Sequence, residues 1–224
     1  MNERFFELKK DRQDQIINGA MRVFAENGYR HASTDEMVAA AGISKGLLFH
    51  YFKSKKGTFQ FLYEYGSRYA LIEMREAVRR AGCDFFEMYR LLAKADAAIL
   101  KKYPFLLLYL KRADRDIAQN DPSVGDDIPE ELRQAVPALR WSLIDGTVKP
   151  PFLSTEDTRQ IIHILEYARD GLMRELLTQE QEANVKKGQP LQEEMEEEKA
   201  VQPLHEEYTA RFNNYIHTLR KLNL

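Results

Sequence analysis

The chain has little cysteine and no long apolar run. A single cysteine, Cys83, occurs among 224 residues, which excludes an internal disulfide framework and a zinc site made of cysteines alone. No stretch approaches the roughly 20 apolar residues that a membrane-spanning helix needs, so we expect no membrane partner. The N-terminus also lacks the apolar core of a secretory signal peptide, and we therefore expect a cytoplasmic location.

Strong net charge is absent as well. The formal net charge is −2 at pH 7, with 44% hydrophobic and 30% charged residues, as in an ordinary globular protein. The charges are unevenly distributed, however. Residues 1–60 carry ten Lys and Arg against seven Asp and Glu, whereas the rest carries 23 against 28. A basic N-terminal segment followed by an acidic remainder is typical of a protein that contacts nucleic acid with one end.

The alternation that marks β-strands is not convincing anywhere, whereas helical periodicity runs through most of the chain. The pattern therefore predicts an all-α fold. Prolines, glycines and acids predict loops over residues 120–137 and 145–151. Helices are predicted over residues 11–27, 56–81, 85–103, 104–118, 138–144, 154–181 and 203–222, in addition to two short ones within residues 34–56.

Residues 34–56 contain the most informative pattern in the chain. Thr34 and Ser44 are placed to cap two short helices, and Gly42 between them tolerates positive φ. Helix, short turn and helix is the layout of a DNA-binding motif whose second helix enters the major groove. We call residues 34–56 the reader.

The second of these helices carries the residue types that such a reader needs. Lys45 and Gly46 open it, where backbone N–H groups and close approach suit a phosphate. Aromatic and histidine side chains that follow can contact sugars, thymine methyls or base edges. The predicted DNA contacts are Thr34, Ser44, Lys45, Gly46, Phe49, His50, Tyr51, Lys55 and Lys56.

The same region resembles the DNA-binding domain of TetR-family transcriptional regulators. The resemblance covers residues 16–55, and it rests on PheAlaGluAsnGlyTyr, AlaAlaGlyIleSerLysGly and HisTyrPheLysSerLys at their mutual spacing. It implies a three-helix helix-turn-helix domain over residues 1–57 and a larger helical effector-binding and dimerisation domain over residues 58–224. The chain departs from the family at Gly19, which costs about 1 kcal/mol against Ala within a helix. It also has Phe49 where the family often has a phosphate-contacting tyrosine.

Two apolar stripes near the C-terminus predict a dimer. A helix-turn-helix reader usually binds as a pair, and two long helices from each subunit would make a four-helix bundle across a two-fold axis. The alternative is that the stripes face the core of their own chain. The predicted interface consists of Ile161, Leu165, Leu172, Leu176, Tyr208, Phe212, Tyr215 and Leu219.

Large, adaptable side chains in the middle of the chain predict a pocket for a small hydrophobic or amphipathic effector. An ordinary core would be lined in the same way, so both interpretations stay open. The candidate ligand-binding residues are Tyr69, Ile72, Phe86, Tyr89, Tyr109, Trp141 and Tyr167.

Few residues in the sequence indicate an enzyme, and we expect no catalytic residue, metal or cofactor. His163, Glu166 and Asp170 share one helix face and could therefore hold a metal. We expect them instead to form the polar rim of a dimer helix. The sequence therefore predicts a DNA-binding transcriptional regulator, a ligand-responsive repressor that binds a pseudo-palindromic operator as a homodimer. The alternative is an architectural or adaptor protein that binds DNA, acts through a protein partner and senses no small molecule.

Overall fold

The computed structural model describes residues 3–149, 154–187 and 203–221. Within these ranges the regular elements are helical apart from an isolated parallel bridge between Asp84 and Val148, which confirms the all-α class. The helices are α1 (Glu3–Phe6), α2 (Lys10–His31), α3 (Thr34–Ala41), α4 (Lys45–Phe52), α5 (Lys55–Glu73), α6 (Arg75–Arg79), α7 (Phe85–Lys102), α8 (Leu106–Arg115), α9 (Ala135–Asp145), α10 (Thr155–Lys187) and α11 (Leu204–Lys221).

The segment between α8 and α9 has more structure than the predicted loop. A π-helical turn, Asp116–Asn120, continues α8, and 3₁₀ turns follow at Pro122–Gly125 and Glu130–Leu132. α9 then begins at Ala135 rather than at Ala138. Pro137 does not prevent the earlier start, because the first turn of a helix needs no N–H from its residues.

A single helix over residues 56–81 is wrong. α5 ends at Glu73, Met74 adopts φ −78° and ψ 0°, and the short helix α6 follows. The amide of Met74 donates to the carbonyl of Ala70, which closes the last turn of α5. Neither glycine nor proline marks this break, so the sequence gives no local signal for it.

The chain packs as two compact units. The first comprises Met1–Arg75 and Lys102–Ser142, and the second comprises Glu76–Lys101 and Leu143–Leu224. These units are defined by packing. The predicted boundary between residues 57 and 58 instead separates the predicted DNA-binding domain from the predicted effector-binding and dimerisation domain. That boundary therefore stays a prediction.

Aromatic side chains fill the core of the first unit. The rings of Phe24 and Phe59 meet edge to face at 5.3 Å, and Phe59 and Tyr109 do so at 5.7 Å. The buried hydroxyl of Tyr109 donates to the carbonyl of Phe59 at 2.5 Å. Tyr109 is thus a core residue whose polar atom is satisfied, as a buried hydroxyl must be.

The second unit encloses an ion pair among its apolar side chains. The guanidinium of Arg169 donates to both carboxylate oxygens of Asp96, at 2.7 and 3.1 Å, and the Tyr208 hydroxyl donates to Asp96 at 3.1 Å. Asp96 is 2% exposed. The carboxylate raises the pKa of the Arg169 guanidinium, although burial opposes this shift. A buried pair held by several hydrogen bonds favours one arrangement of the helices that carry it.

Most of the predicted dimer stripe faces the core of the second unit. Tyr215 is 38% exposed and Leu219 is half-buried. The remaining six side chains are buried within the single chain, which corrects their assignment to a subunit seam, because they leave no surface for a partner. These six are Ile161, Leu165, Leu172, Leu176, Tyr208 and Phe212.

Candidate nucleic-acid interface

Serine side chains begin the two short helices of the reader. The hydroxyl of Ser33 accepts from the amide of Asp35 at 3.2 Å, so Ser33 rather than Thr34 caps α3. The hydroxyl of Ser44 accepts from the amide of Leu47 at 3.2 Å, which confirms the predicted cap of α4. Between them Gly42 is left-handed, with φ 61°. Helix, left-handed glycine and helix follow each other as the sequence predicts.

One face of α4 is buried against neighbouring helices. Leu48 and Phe52 are buried, as expected. Tyr51 is only 8% exposed, which corrects its placement on the outward face. Its ring meets Phe5 at 5.6 Å, and Phe5 also meets Phe52 at 5.2 Å. The short helix α1 therefore packs against the buried face of α4 through Phe5. This contact is not predicted from the sequence.

The other face of α4 is available to a partner. Ser44, Lys45, Gly46 and His50 are exposed, while Phe49 and, on α3, Thr34 are half-buried. The ammonium of Lys45 pairs with the Asp35 carboxylate at 2.9 Å. This exposed pair contributes little to stability, so a phosphate can replace the carboxylate at small cost.

Lys55 and Lys56 open α5 at the C-terminal end of the reader, and each has a partner within the first unit. The Lys55 ammonium donates to the carbonyl of Arg30 at 3.2 Å and lies 4.9 Å from the centre of the Tyr29 ring. Partial burial lowers the pKa of Lys55. The Lys56 ammonium lies 3.7 Å from a carboxylate oxygen of Asp126 and of Asp127.

A cleft of about 790 Å³ lies beside the reader in the first unit. Its lining includes aromatic and charged side chains, among them His50 and Lys53 from the end of α4. The remaining lining residues are Arg4, Phe5, Tyr51, Phe52, Gly57, Gln60, Phe61, Glu64 and Asp127.

None of the predicted effector residues lines this cleft. Tyr69, Ile72, Tyr109 and Trp141 belong to the first unit, and Phe86, Tyr89 and Tyr167 to the second. Tyr109, Phe86 and Tyr89 are buried, and Tyr69 is half-buried. In contrast, Ile72, Trp141 and Tyr167 are 47%, 50% and 76% exposed. The effector site stays a prediction.

Neither a cluster of metal-ligating side chains nor a membrane-spanning helix occurs in the described residues. No group of three or more histidine, cysteine or carboxylate side chains is arranged to hold a metal ion there, His163, Glu166 and Asp170 included. No helix in the same ranges has the length and apolar character to span a membrane.

The geometry of α3, Gly42 and α4 is that of a helix-turn-helix, a class of fold element that many DNA-binding proteins contain. Residues 16–60 match the family described as "Bacterial regulatory proteins, tetR family". This match confirms the resemblance of that segment to the family.

Curated relatives match part of the chain. The "HTH-type transcriptional repressor Rv1474c" of Mycobacterium tuberculosis is 40% identical over 68 residues, which are 30% of this chain and 36% of that protein. The "HTH-type transcriptional regulator UidR" of Escherichia coli K12 is 34% identical over 64 residues, 29% of this chain and 33% of that protein. The match thus spans about a third of the length of each relative.

A solved structure extends the likeness to the rest of the fold. A TetR family transcriptional regulator from Chloroflexus aurantiacus aligns with 99% of this chain and 95% of its own, with a TM-score of 0.52 and 20% identity. At this identity the match supports the fold alone, an N-terminal helix-turn-helix followed by a larger helical region.

Proposed function

We propose that this protein is a transcriptional regulator that binds a pseudo-palindromic operator as a homodimer and represses transcription. The observation that carries the proposal is the exposed face of α4, on which Lys45, Gly46 and His50 lie within the segment that matches the tetR family. Relatives that match about 30% of this chain are named as a repressor and a regulator of transcription. The cytoplasm, where we expect the protein, is compatible with this role.

Dimerisation follows from the reader, because one helix-turn-helix makes few contacts and half-sites are usually paired. The outer face of α10 offers a surface for it. Ile164 and Tyr167 are 55% and 76% exposed, and they lie on the side opposite the buried stripe. Gly171 continues this face, and a Cβ there would meet nothing within 4 Å, so another helix has room to approach closely. Exposed apolar and tyrosine side chains are typical of subunit interfaces.

We also propose that the protein binds a small hydrophobic or amphipathic effector that changes its affinity for DNA. Such a ligand changes DNA affinity only if it binds the DNA-competent and DNA-incompetent arrangements with different affinities. A thermal-shift screen of hydrophobic acids, amines and neutral compounds against the full chain identifies a candidate. Operator titrations with and without that compound then distinguish a sensor from an adaptor protein.

The DNA-binding proposal is tested with duplexes selected from a random pool by the wild-type protein. We expect Lys45→Ala and His50→Ala each to weaken binding of a selected duplex about tenfold or more, since each side chain contributes a phosphate or base contact worth roughly 1–3 kcal/mol. Fluorescence anisotropy at fixed salt measures the affinity. Lys94→Ala, a change of charge in the second unit outside the reader, serves as the control.

Failure of the wild-type protein to enrich any sequence would overturn the proposed function. Enrichment followed by unchanged affinity of both variants would instead show that α4 is not the reading helix. Circular dichroism and sedimentation confirm that the variants keep the fold and the oligomeric state of the wild type.

A further inference from the structure

The side chain of Asp116 is buried in the π-helical turn after α8 although it is ionisable. Asp116 is 3% exposed. One of its carboxylate oxygens accepts from the backbone amide of Tyr29 at 2.7 Å, and the other accepts from the side chain of Asn120 at 2.7 Å. A buried carboxylate with such short, charge-assisted hydrogen bonds holds its donors firmly.

The partner of Asp116 lies just past a special residue of the backbone. Gly28 has φ 69° and interrupts α2, so the chain turns immediately before Tyr29. A Cβ on Gly28 would lie 2.7 Å from Nε of Arg112. The same Nε of Arg112 lies 3.7 Å from the Asp116 carboxylate. The turn is thus enclosed by side chains from α8 and from the π-helical turn.

A second contact joins the same two segments. The guanidinium of Arg30 donates to the backbone carbonyl of Asn120 at 2.9 Å. Because Asn120 also donates its side chain to Asp116, the turn at residues 28–30 is held at both Tyr29 and Arg30. π-helical turns in place of α-helix are rare and occur often at functional sites.

The turn at residues 28–30 in turn holds Lys55. The carbonyl of Arg30 accepts from the Lys55 ammonium, and the Tyr29 ring lies beneath it. Lys55 is among the residues expected to contact DNA phosphates. Its neighbours therefore restrict the position of this lysine before any DNA is present, which reduces the entropy lost on binding.

We propose that Asp116 is a positioning residue for DNA binding, which acts by fixing the turn at residues 28–30 and, through it, Lys55. This inference rests on the proposed function. Asp116 itself carries the wrong charge to contact a phosphate, so its effect on DNA affinity passes through the lysine. Asp116 can position Lys55 in this way only if both the turn at Gly28 and the π-helical turn keep their native backbone conformation.

A double-mutant cycle tests the link. The probe is a duplex selected from a random pool by the wild-type protein, and the variants are Asp116→Asn, Lys55→Ala and the double variant. We expect Asp116→Asn to weaken binding about tenfold in the wild-type background, because Lys55 is then no longer held in position for its charged contact with a phosphate. In the Lys55→Ala background its effect should fall below about twofold, since coupled residues are not additive.

The salt dependence of DNA affinity distinguishes a loss of Lys55 positioning from a general destabilisation of the fold. Both single variants should lower the slope of log affinity against log salt by about one unit, as for the loss of one phosphate contact. Glu131→Gln removes an exposed negative charge from the same unit and is the control for net charge. If Asp116→Asn does not fold, Asn120→Ala keeps the carboxylate, removes one donor and takes its place in the cycle.

The outcomes are distinct. Equal affinity of wild type and Asp116→Asn, or full additivity with Lys55→Ala, overturns the positioning role while the proposed function stands. An unchanged salt slope in a weakened Asp116→Asn variant assigns the loss to the fold and also overturns it. A wild-type protein that selects no duplex refutes the proposed function, and the positioning role fails with it.

Discussion

The helix pairs α3–α4 and α10–α11 both bury an apolar face, but their exposed faces carry different residues. In α4 the buried face is small, and Lys45 and His50 remain exposed on the other side. In α10 and α11 the strong apolar stripes are covered within the second unit, and a sparser set, Ile164 and Tyr167 on α10, remains outside. The most regular apolar stripe therefore identifies the core, whereas a weaker stripe on the opposite face is the candidate surface for a partner.

Phe212→Ala tests the inner stripe and should have the largest effect. Phe212 is fully buried and stacks against Tyr208 with a ring separation of 5.7 Å. Removing the ring should lower the free energy of unfolding by about 3–5 kcal/mol through lost burial and the cavity left behind. Chemical denaturation followed by circular dichroism measures this loss. A change below 1 kcal/mol would mean that the stripe is not core.

Tyr167→Glu tests the outer stripe of α10. A carboxylate placed in a desolvated interface should raise the dimer dissociation constant at least about a hundredfold, whereas the helical signal should not change. Analytical ultracentrifugation over a range of concentrations measures the dissociation. Gln179→Glu, an exposed position of α10 off this face, is the matched control. A dimer that survives Tyr167→Glu and Ile164→Glu alike places the interface elsewhere.

Gly19→Ala tests the close packing of α2 against α3 in the first unit and should have the smallest effect. Helix propensity alone predicts a gain of about 1 kcal/mol. The structure reverses this expectation, because a Cβ at Gly19 would lie 2.7 Å from the backbone nitrogen of Ala41 on α3. Overpacking should therefore lower stability by about 1–3 kcal/mol. A higher melting temperature in the variant would show that α2 and α3 separate without cost.

Local chemistry made much of the reader predictable. The Ser44 cap and the left-handed Gly42 depend on neighbours within a few residues, and both are confirmed. The outward placement of Tyr51 is wrong, because adjacent aromatic residues on a short helix do not reveal which of them Phe5 covers. The break at Met74 carries no glycine or proline. The Asp116 contact joins residues 87 positions apart, which no local pattern reports.

The effector site shows the limit of composition as evidence. Tyr109 and Trp141 are both large aromatic residues in the middle of the chain, but one is fully buried and the other is 50% exposed. Burial depends on how helices from distant parts of the sequence meet. A list of aromatic residues therefore predicts a core or a pocket equally well.

The lysine–carboxylate pairs of the first unit have a consequence for how the protein would search a genome. Lys45 is paired with Asp35, and Lys56 lies near Asp126 and Asp127. A random stretch of DNA would have to displace these carboxylates while it offers no base contact in return. Such stretches outnumber any operator by about 10⁶–10⁹ to one, so discrimination depends on weak binding to them as much as on tight binding to the operator. We expect the acidic partners to shorten each stay at an incorrect position and to leave more of the protein free to find its operator.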